Sequence, residues 1–298
     1  MAQIVECVPN ISEGRNQAVI DAVVAEVKST PGATLLDVSS DESHNRTVIT
    51  FLGSPEGVEE AAVKLAKKAV ELIDLNHHQG EHPRMGAVDV IPFIPVKDMT
   101  IEDAVALSKR AGKRIWEEAK LPVFLYEASA SAPHRVNLAA CRKGQFEGMP
   151  QKLLQEEWAP DFGERAIHPT GGIVAVGARL PLVAYNIDLS TSDLSIANKI
   201  AKIIRQSSGG LDYVKSIGVM LEDRNVAQVS INMTNLDKTP LYRVVELVRA
   251  EAKRWGVTII GTEIVGLTPM NALIDSAEYY LQLENFDRDR QVLENHIL

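Results

Sequence analysis

Two stretches of the sequence decide the fold: VECVPNISEGRNQAVIDAVVAEV at residues 5–27 and LVAYNIDLSTSDLSIANKIAKII at residues 182–204. Each begins as a strand, passes through Asn-Ile and a serine, and ends with apolar residues at helical spacing. A second pair, RTVITFLGSPEGVEEAAVKLAKKAV at 46–70 and AQVSINMTNLDKTPLYRVVELVRAEA at 227–252, has a strand, a short loop and a proline that opens a helix. The chain therefore consists of two similar halves, each with a βαββαβ order and extra elements.

This order is typical of the split βαβ, or ferredoxin-like, arrangement. We predict an α+β protein of two ferredoxin-like lobes, residues 1–180 and 181–298, with the boundary near Leu180. A cleft between two such lobes is a natural place for a ligand. Within the first lobe, the pattern predicts a helix over residues 58–73 and a buried strand over residues 87–94 that Pro92 breaks.

The composition limits the possible partners and the cellular compartment. The formal net charge of -9 disfavours nucleic acid and an anionic membrane as main partners, because both need a basic surface. The first residues lack the pattern of a signal peptide, and no apolar run approaches the ~20 residues of a membrane span. Two cysteines, Cys7 and Cys141, are expected to be reduced thiols of a cytoplasmic protein rather than one disulfide.

The stretch HHQGEHPRMGAVDVIPFIP, residues 77–95, contains the zinc-peptidase pattern H-x-x-E-H at His78 to His82. That motif binds zinc when both histidines lie on one helical face. Gly80 is costly inside a helix, and Pro83 pushes the residue before it away from helical geometry. The sequence therefore disfavours a zinc site and predicts no metal.

The same stretch holds four ionisable groups just before a buried strand: Glu81, His82, Arg84 and Asp89. A solvated polar loop is the simplest interpretation. A rigidly held histidine with carboxylates beside it would instead be suited to acid–base catalysis, and His82 is the best candidate for a general base.

Two other groups of residues could line a cleft. One group is Asn10, Ser39, Asp41, Asn45 and Arg46, which follow predicted strands, although Asn, Asp and Ser are also ordinary turn residues. The other is a glycine-rich loop whose backbone could approach a flat or anionic ligand closely. It comprises Gly163, Glu164, Arg165, Ala166, Ile167, His168, Pro169, Thr170, Gly171 and Gly172. It lacks the phosphate-loop patterns, so nucleotide binding is weakly supported.

Several segments resemble glutamate formimidoyltransferase, the formiminotransferase part of formiminotransferase-cyclodeaminase. They are VECVPNISEGRN at 5–16, LLDV with NRTV at 35–48, GEHPRMGAVDVIPFIPV at 80–96, and EWAPDFG with GGIVAVGAR at 157–179. The resemblance covers nearly the whole chain, and GEHPRMGA is long enough to be specific.

The resemblance implies transfer of a formimino group from N-formimino-L-glutamate to N5 of tetrahydrofolate in histidine degradation. It implies a tunnel between two lobes that holds the folate, a homodimer, and a separate cyclodeaminase for the next step. His82 matches the family's catalytic histidine, and residues 163–172 match its folate-binding segment. Arg46, Arg84 or Arg165 would hold substrate carboxylates, because arginine binds carboxylates in a bidentate way.

The chain departs from the family at one catalytic position and leaves three alternatives open. Ser39 stands where the family often has an assisting aspartate, so either Asp41 replaces it or the assistance is weaker. Some bacterial relatives act on formyl groups, so a glutamate formyltransferase that uses 5-formyl-tetrahydrofolate is one alternative. A zinc hydrolase with His78 and His82 is another, and a non-catalytic folate-binding protein is the third.

Overall fold

The computed structural model describes residues 3–296 and confirms the mixed α+β class, with two separate sheets. The chain divides into two compact units, Met1–Arg179 and Leu180–Leu298. Neither cysteine forms a disulfide, and both are buried. Within the described residues, we find no helix that combines the length and apolar character needed to cross a membrane.

The first unit is built on one sheet with strand order β3-β4-(β1, β2)-β5-β7-β6, where β1 and β2 lie one after the other between β4 and β5. The pairs β5–β7 and β7–β6 are parallel, and the other pairs are antiparallel. The elements of this unit are β1 (Ile4–Cys7), β2 (Asn10–Ile11), α1 (Gln17–Lys28), β3 (Ala33–Asp41), β4 (Arg46–Gly53), α2 (Pro55–Leu72), β5 (Val88–Lys97), α3 (Ile101–Ala119), β6 (Val123–Glu127), α4 (Leu138–Arg142), α5 (Gln145–Leu153) and β7 (Val174–Ala178).

Helices α1, α2 and α3 bury one face of this sheet, around Cys7, Ile49 and Phe51. Helix α2 begins at Pro55, three residues before the predicted start, because the Ser54 side chain accepts a hydrogen bond from the Gly57 N–H and proline is favoured in a first turn. On the opposite face, a second apolar cluster joins Val90 and Phe124 of the sheet to Met149 of α5. Register brings Asn10, Val48 and Ser39 into one row across this second face.

The prediction that Pro92 breaks the central strand is wrong, since β5 continues through Pro92 to Lys97. A proline removes one ladder donor and is normally unfavourable in a central strand. Here Pro92 lies where the neighbouring chain passes from β1 to β2, and its carbonyl accepts from the Val8 N–H. The missing donor therefore falls at an interruption that the sheet already has.

The second unit repeats the order of the first around an antiparallel sheet with strand order β11-β8-β10-β9. Its elements are β8 (Val183–Leu189), α6 (Leu194–Ile204), β9 (Val214–Leu221), β10 (Val226–Met233), α7 (Leu241–Arg254), β11 (Ile259–Val265), α8 (Met270–Leu281) and α9 (Arg288–Gln291). In the first unit, the corresponding strands lie in the order β5-(β1, β2)-β4-β3, so that β5 corresponds to β11, β1 with β2 to β8, β4 to β10 and β3 to β9. The similarity of the two halves therefore extends to their sheets.

Candidate functional site

His82 lies in the irregular segment before β5 and is half-buried. Its Nε2 is 2.7 Å from Nη1 of Arg46, the first residue of β4. Because a guanidinium can only donate, Nε2 is the acceptor and the proton of the neutral ring is on Nδ1. The structure thus brings together two of the predicted site residues that are 36 positions apart in the chain.

The surroundings of His82 strongly favour its neutral form. Burial, followed by the electrostatic influence of Arg46, Arg142 and His44, lowers the pKa of His82 to about 3, while a backbone hydrogen bond with Pro83 acts in the opposite direction. Burial also lowers the pKa of Arg46, because a guanidinium is costly to desolvate. At neutral pH the ring is therefore an unprotonated base within a cationic cluster.

Asp41 is connected to this cluster through contacts with His44, whose ring lies against that of His82. Its Oδ2 is 2.9 Å from Nδ1 of His44, and its Oδ1 accepts from the His44 N–H, which lowers the pKa of Asp41. The rings of His44 and His82 meet edge to face with centroids 6.3 Å apart. Asp41 also lies opposite Arg46 in the β3–β4 register. Ser39, by contrast, is exposed on β3 opposite Val48 and has no place in this chain of contacts.

Arg142 completes the cationic cluster, although no sequence motif indicates it. Its Nη2 and Nε are 2.5 and 2.6 Å from Oδ2 of Asp89, a carboxylate that is 2% exposed and also accepts from the Met85 N–H. Arg142 ends α4, a five-residue helix that the apolar pattern was too short to indicate. The only signal was its position in the basic segment around Cys141.

His78 is bound in a way that does not suit a zinc ligand. Its Nε2 donates to the carbonyl of Asn45 at 2.9 Å, and its Nδ1 accepts from Nε of Arg84 at 3.1 Å. Residues 78–84 are not helical, as Gly80 and Pro83 predict, so His78 and His82 do not share a helical face. Among residues 3–296, no group of three or more potential ligands is arranged to hold a metal ion.

The guanidinium of Arg84 makes its ion pair and hydrogen bonds with other residues of the first unit. Its guanidinium forms a two-pronged pair with Glu147 of α5, at 2.6 and 2.9 Å, and its Nη1 donates to Gln145. The Arg84 side chain is buried, and it joins α5 to the histidine segment, residues 77–86, which carries His77, His78 and His82. A role in holding a substrate carboxylate stays a prediction for Arg84, but Arg46 is better placed for it.

The two asparagines have different environments. Asn45 is buried in the left-handed region (φ 49°), its Oδ1 accepts from the Gly14 N–H, and its Nδ2 donates to the carbonyl of Gln79. These bonds fix the segment that leads to His82. Asn10 is half-buried on β2, beside Val48, and donates to the carbonyl of Val8.

The glycine-rich loop is exposed from Gly163 to Ala166 and then turns back tightly between His168 and Gly172. The backbones of His168 and Gly172 exchange two hydrogen bonds, and Nδ1 of His168 accepts from the Gly171 N–H at 2.9 Å. The turn packs on both sides of the histidine segment: the carbonyl of Thr170 accepts from Leu75, and that of Gly171 from Ala87. The loop and His82 are thus parts of one local arrangement.

A glycine is required at the end of this turn. Gly172 has φ +71°, and a Cβ there would lie 2.1 Å from the carbonyl oxygen of Met85. Only glycine allows this backbone conformation and this close approach together.

Comparison with known proteins matches residues 4–179 to the N-terminal subdomain of the formiminotransferase domain and residues 184–296 to the formiminotransferase domain. A glutamate formimidoyltransferase of Streptococcus pyogenes serotype M1 is 61% identical over 298 residues, 100% of both chains. A glutamate formimidoyltransferase of Thermoplasma acidophilum is 47% identical and covers 95% of this chain and 94% of that relative. The formimidoyltransferase-cyclodeaminase of Mus musculus is 46% identical over 95% of this chain and 53% of that relative.

Proposed function

The chain belongs to the formiminotransferase family, and we propose that it is a glutamate formimidoyltransferase with His82 as its general acid and base. It transfers the formimino group of N-formimino-L-glutamate to N5 of tetrahydrofolate. The observation that carries the proposal is a half-buried, neutral histidine held beside an arginine, in a chain 61% identical over its full length to a relative with that name.

The reaction needs one proton to be moved twice. N5 of tetrahydrofolate attacks the amidine carbon and must lose its proton as the tetrahedral intermediate forms. The nitrogen of glutamate must then gain a proton before the C–N bond breaks. A neutral imidazole can accept the first proton and return it as the second, which is the usual role of histidine in acid–base catalysis.

The neighbouring residues have supporting roles in this proposal. Arg46 binds a carboxylate of the glutamate donor, since its guanidinium lies directly beside His82. Asp41 acts through His44, which supports the interpretation that Asp41 replaces the aspartate the family often has at position 39. Residues 163–172 bind the folate, and their contacts on both sides of the histidine segment would place the two substrates close together.

The proposal also includes the finer features of fold and assembly. The strand orders β5-(β1, β2)-β4-β3 and β11-β8-β10-β9 support a ferredoxin-like arrangement for both units. The cytoplasm as the compartment, a homodimer, and a ligand tunnel stay predictions. The mouse relative, whose name joins transferase and cyclodeaminase, supports a cyclodeaminase as the partner that uses the product.

A turnover assay tests the proposal. Purified protein is mixed with tetrahydrofolate and N-formimino-L-glutamate, and formimino-tetrahydrofolate is measured for the wild type, His82→Ala and His77→Ala. His77 is a suitable control because its side chain is 86% exposed and it belongs to the same segment. We expect a rate loss of about a hundredfold or more in His82→Ala only.

Full activity of His82→Ala would exclude His82 as the acid–base group. Absence of product from the wild type would contradict the proposed donor, and 5-formyl-tetrahydrofolate with glutamate would then be the next substrate pair to assay.

A further inference from the structure

The hydrogen bond between Arg46 and His82 occupies the one position at which the ring can take up a proton. A neutral imidazole has a single basic nitrogen, and in His82 it is Nε2, which accepts from Nη1 of Arg46 at 2.7 Å. In this arrangement the base is correctly placed but blocked. Removal of Arg46 from Nε2 is therefore needed before catalysis can begin.

Arg46 differs from the basic groups around it in having no carboxylate in direct contact with its guanidinium. Arg142 is paired with Asp89, and His44 is paired with Asp41. Within residues 3–296, no carboxylate oxygen lies within 4.0 Å of the half-buried guanidinium of Arg46. The charges of Asp89 and Asp41 partly offset the burial of Arg46 from beyond 4.0 Å, but neither contacts its guanidinium, so an incoming carboxylate can still gain a charge-assisted pair.

We propose that Arg46 couples recognition of the donor to release of the catalytic base. This inference rests on the proposed function. A carboxylate of N-formimino-L-glutamate binds the Arg46 guanidinium and draws Nη1 away from His82 Nε2. The freed lone pair takes the proton of tetrahydrofolate N5 as the N5–C bond forms, and the same proton then goes to the glutamate nitrogen as the old C–N bond breaks. Arg46 is thus a residue that determines specificity, because only a donor with a carboxylate frees the base.

The electrostatics of the site also favour a rise in the pKa of His82 when the donor binds. The groups that face His82 are Arg46 from β4, Arg142 from α4 and His44 from the β3–β4 turn, with Asp89 and Asp41 already paired. A bound carboxylate adds one unpaired negative charge and removes a donor from Nε2. Both changes raise the pKa of His82 from about 3 towards neutrality, where an acid–base catalyst works best.

A titration of His82 by NMR tests the coupling without any turnover. The ring nitrogens are observed from pH 5 to 8 in the wild type, in Arg46→Gln, and in the wild type with saturating N-formimino-L-glutamate but no folate. His82→Gln assigns the signal. We expect no titration of His82 in the free wild type, and an apparent pKa raised from about 3 by roughly 2–3 pH units, to about 5–6, both in Arg46→Gln and with the donor. Arg110→Gln on α3, which removes an arginine paired with Glu59, should leave His82 unchanged.

A comparison of two donors tests the consequence for specificity. Formamidine carries the reacting amidine but no carboxylate. We expect Arg46→Gln to raise KM for N-formimino-L-glutamate at least tenfold and, at the same time, to raise kcat for formamidine, because His82 is then free. Arg46→Lys, which keeps the charge, should retain part of the preference for the carboxylate donor.

The coupling and the proposed function fail in different ways. An unchanged His82 titration in Arg46→Gln, or with the donor bound to the wild type, would overturn the coupling even if the wild type turns over. A wild type that forms no product while His82 titrates as expected would refute the proposed function and leave the coupling standing. Loss of activity with both donors in Arg46→Gln, with a folded protein by circular dichroism, would also overturn the coupling.

Discussion

Replacement of Asp89 by alanine should destabilise the first unit far more than removal of an exposed carboxylate. Asp89 is 2% exposed and accepts from Arg142 and from the Met85 N–H, so Asp89→Ala leaves a backbone donor and a mostly buried guanidinium without partners. Breaking a buried pair on one side costs about 3–5 kcal/mol. Because 17% of the Arg142 side chain is exposed, we take the lower end, about 3 kcal/mol. For a unit of this size, that corresponds to a decrease in Tm of roughly 6–12 °C.

Tryptophan fluorescence can follow this unit alone. The chain has three tryptophans, of which Trp116 and Trp158 lie in the first unit and Trp255 in the second. Urea unfolding in a Trp255→Phe background therefore reports on the first unit. The matched control is Glu118→Ala, which removes a carboxylate that is 39% exposed and paired with Arg114, and should cost less than about 1 kcal/mol.

A double substitution separates charge pairing from simple loss of packing. Asp89→Ala with Arg142→Met removes both charges, so the double variant should regain part of the stability lost in Asp89→Ala. Equal losses for Asp89→Ala and Glu118→Ala, or strictly additive losses in the double variant, would refute the reasoning that Asp89 neutralises Arg142.

Three further predictions concern the backbone and the histidine. Gly172→Ala should destabilise the protein by more than Gly256→Ala in urea unfolding: both have φ near +70°, for which left-handed strain costs about 1–2 kcal/mol, but only Gly172 would place a Cβ against the Met85 carbonyl. Equal losses would show that the close approach is unimportant. Asn45→Ala should be less stable than Asn45→Gly by about 1–2 kcal/mol in thermal melts, because both lose the side-chain bonds but only alanine is strained at φ 49°. For His82, the folded-state pKa of about 3 lies below the unfolded value of 6.5, so the unfolded chain takes up the proton first. The wild type should lose stability relative to His82→Gln by up to about 1.4 kcal/mol per pH unit as the pH falls below 6.5, with no further change above pH 7, and parallel stability curves would contradict this.

The secondary structure was largely predictable because its causes are local. Apolar spacing indicated α2 to within a few residues, and Gly80 with Pro83 indicated that the H-x-x-E-H stretch is not helical. One expectation failed because of a distant chain segment, and one helix was missed because it is short. Pro92 did not interrupt β5 because its missing donor falls at the β1–β2 interruption, and α4 was not recognised because five residues carry too little periodicity.

In the candidate site too, local features were predictable from the sequence, whereas contacts between distant residues were not. The sequence alone indicated His82 as the base and Arg46, Arg84 or Arg165 as cations that could bind a carboxylate, since these inferences depend on side-chain chemistry and on neighbours in the chain. Only the tertiary structure decided that Arg46 meets Nε2 of His82, that Asp89 pairs with Arg142, and that Arg84 is bound to Glu147. Periodicity and turn chemistry are properties of a few consecutive residues, whereas these contacts join residues 36 to 63 positions apart and depend on how the strands align and where the helices pack.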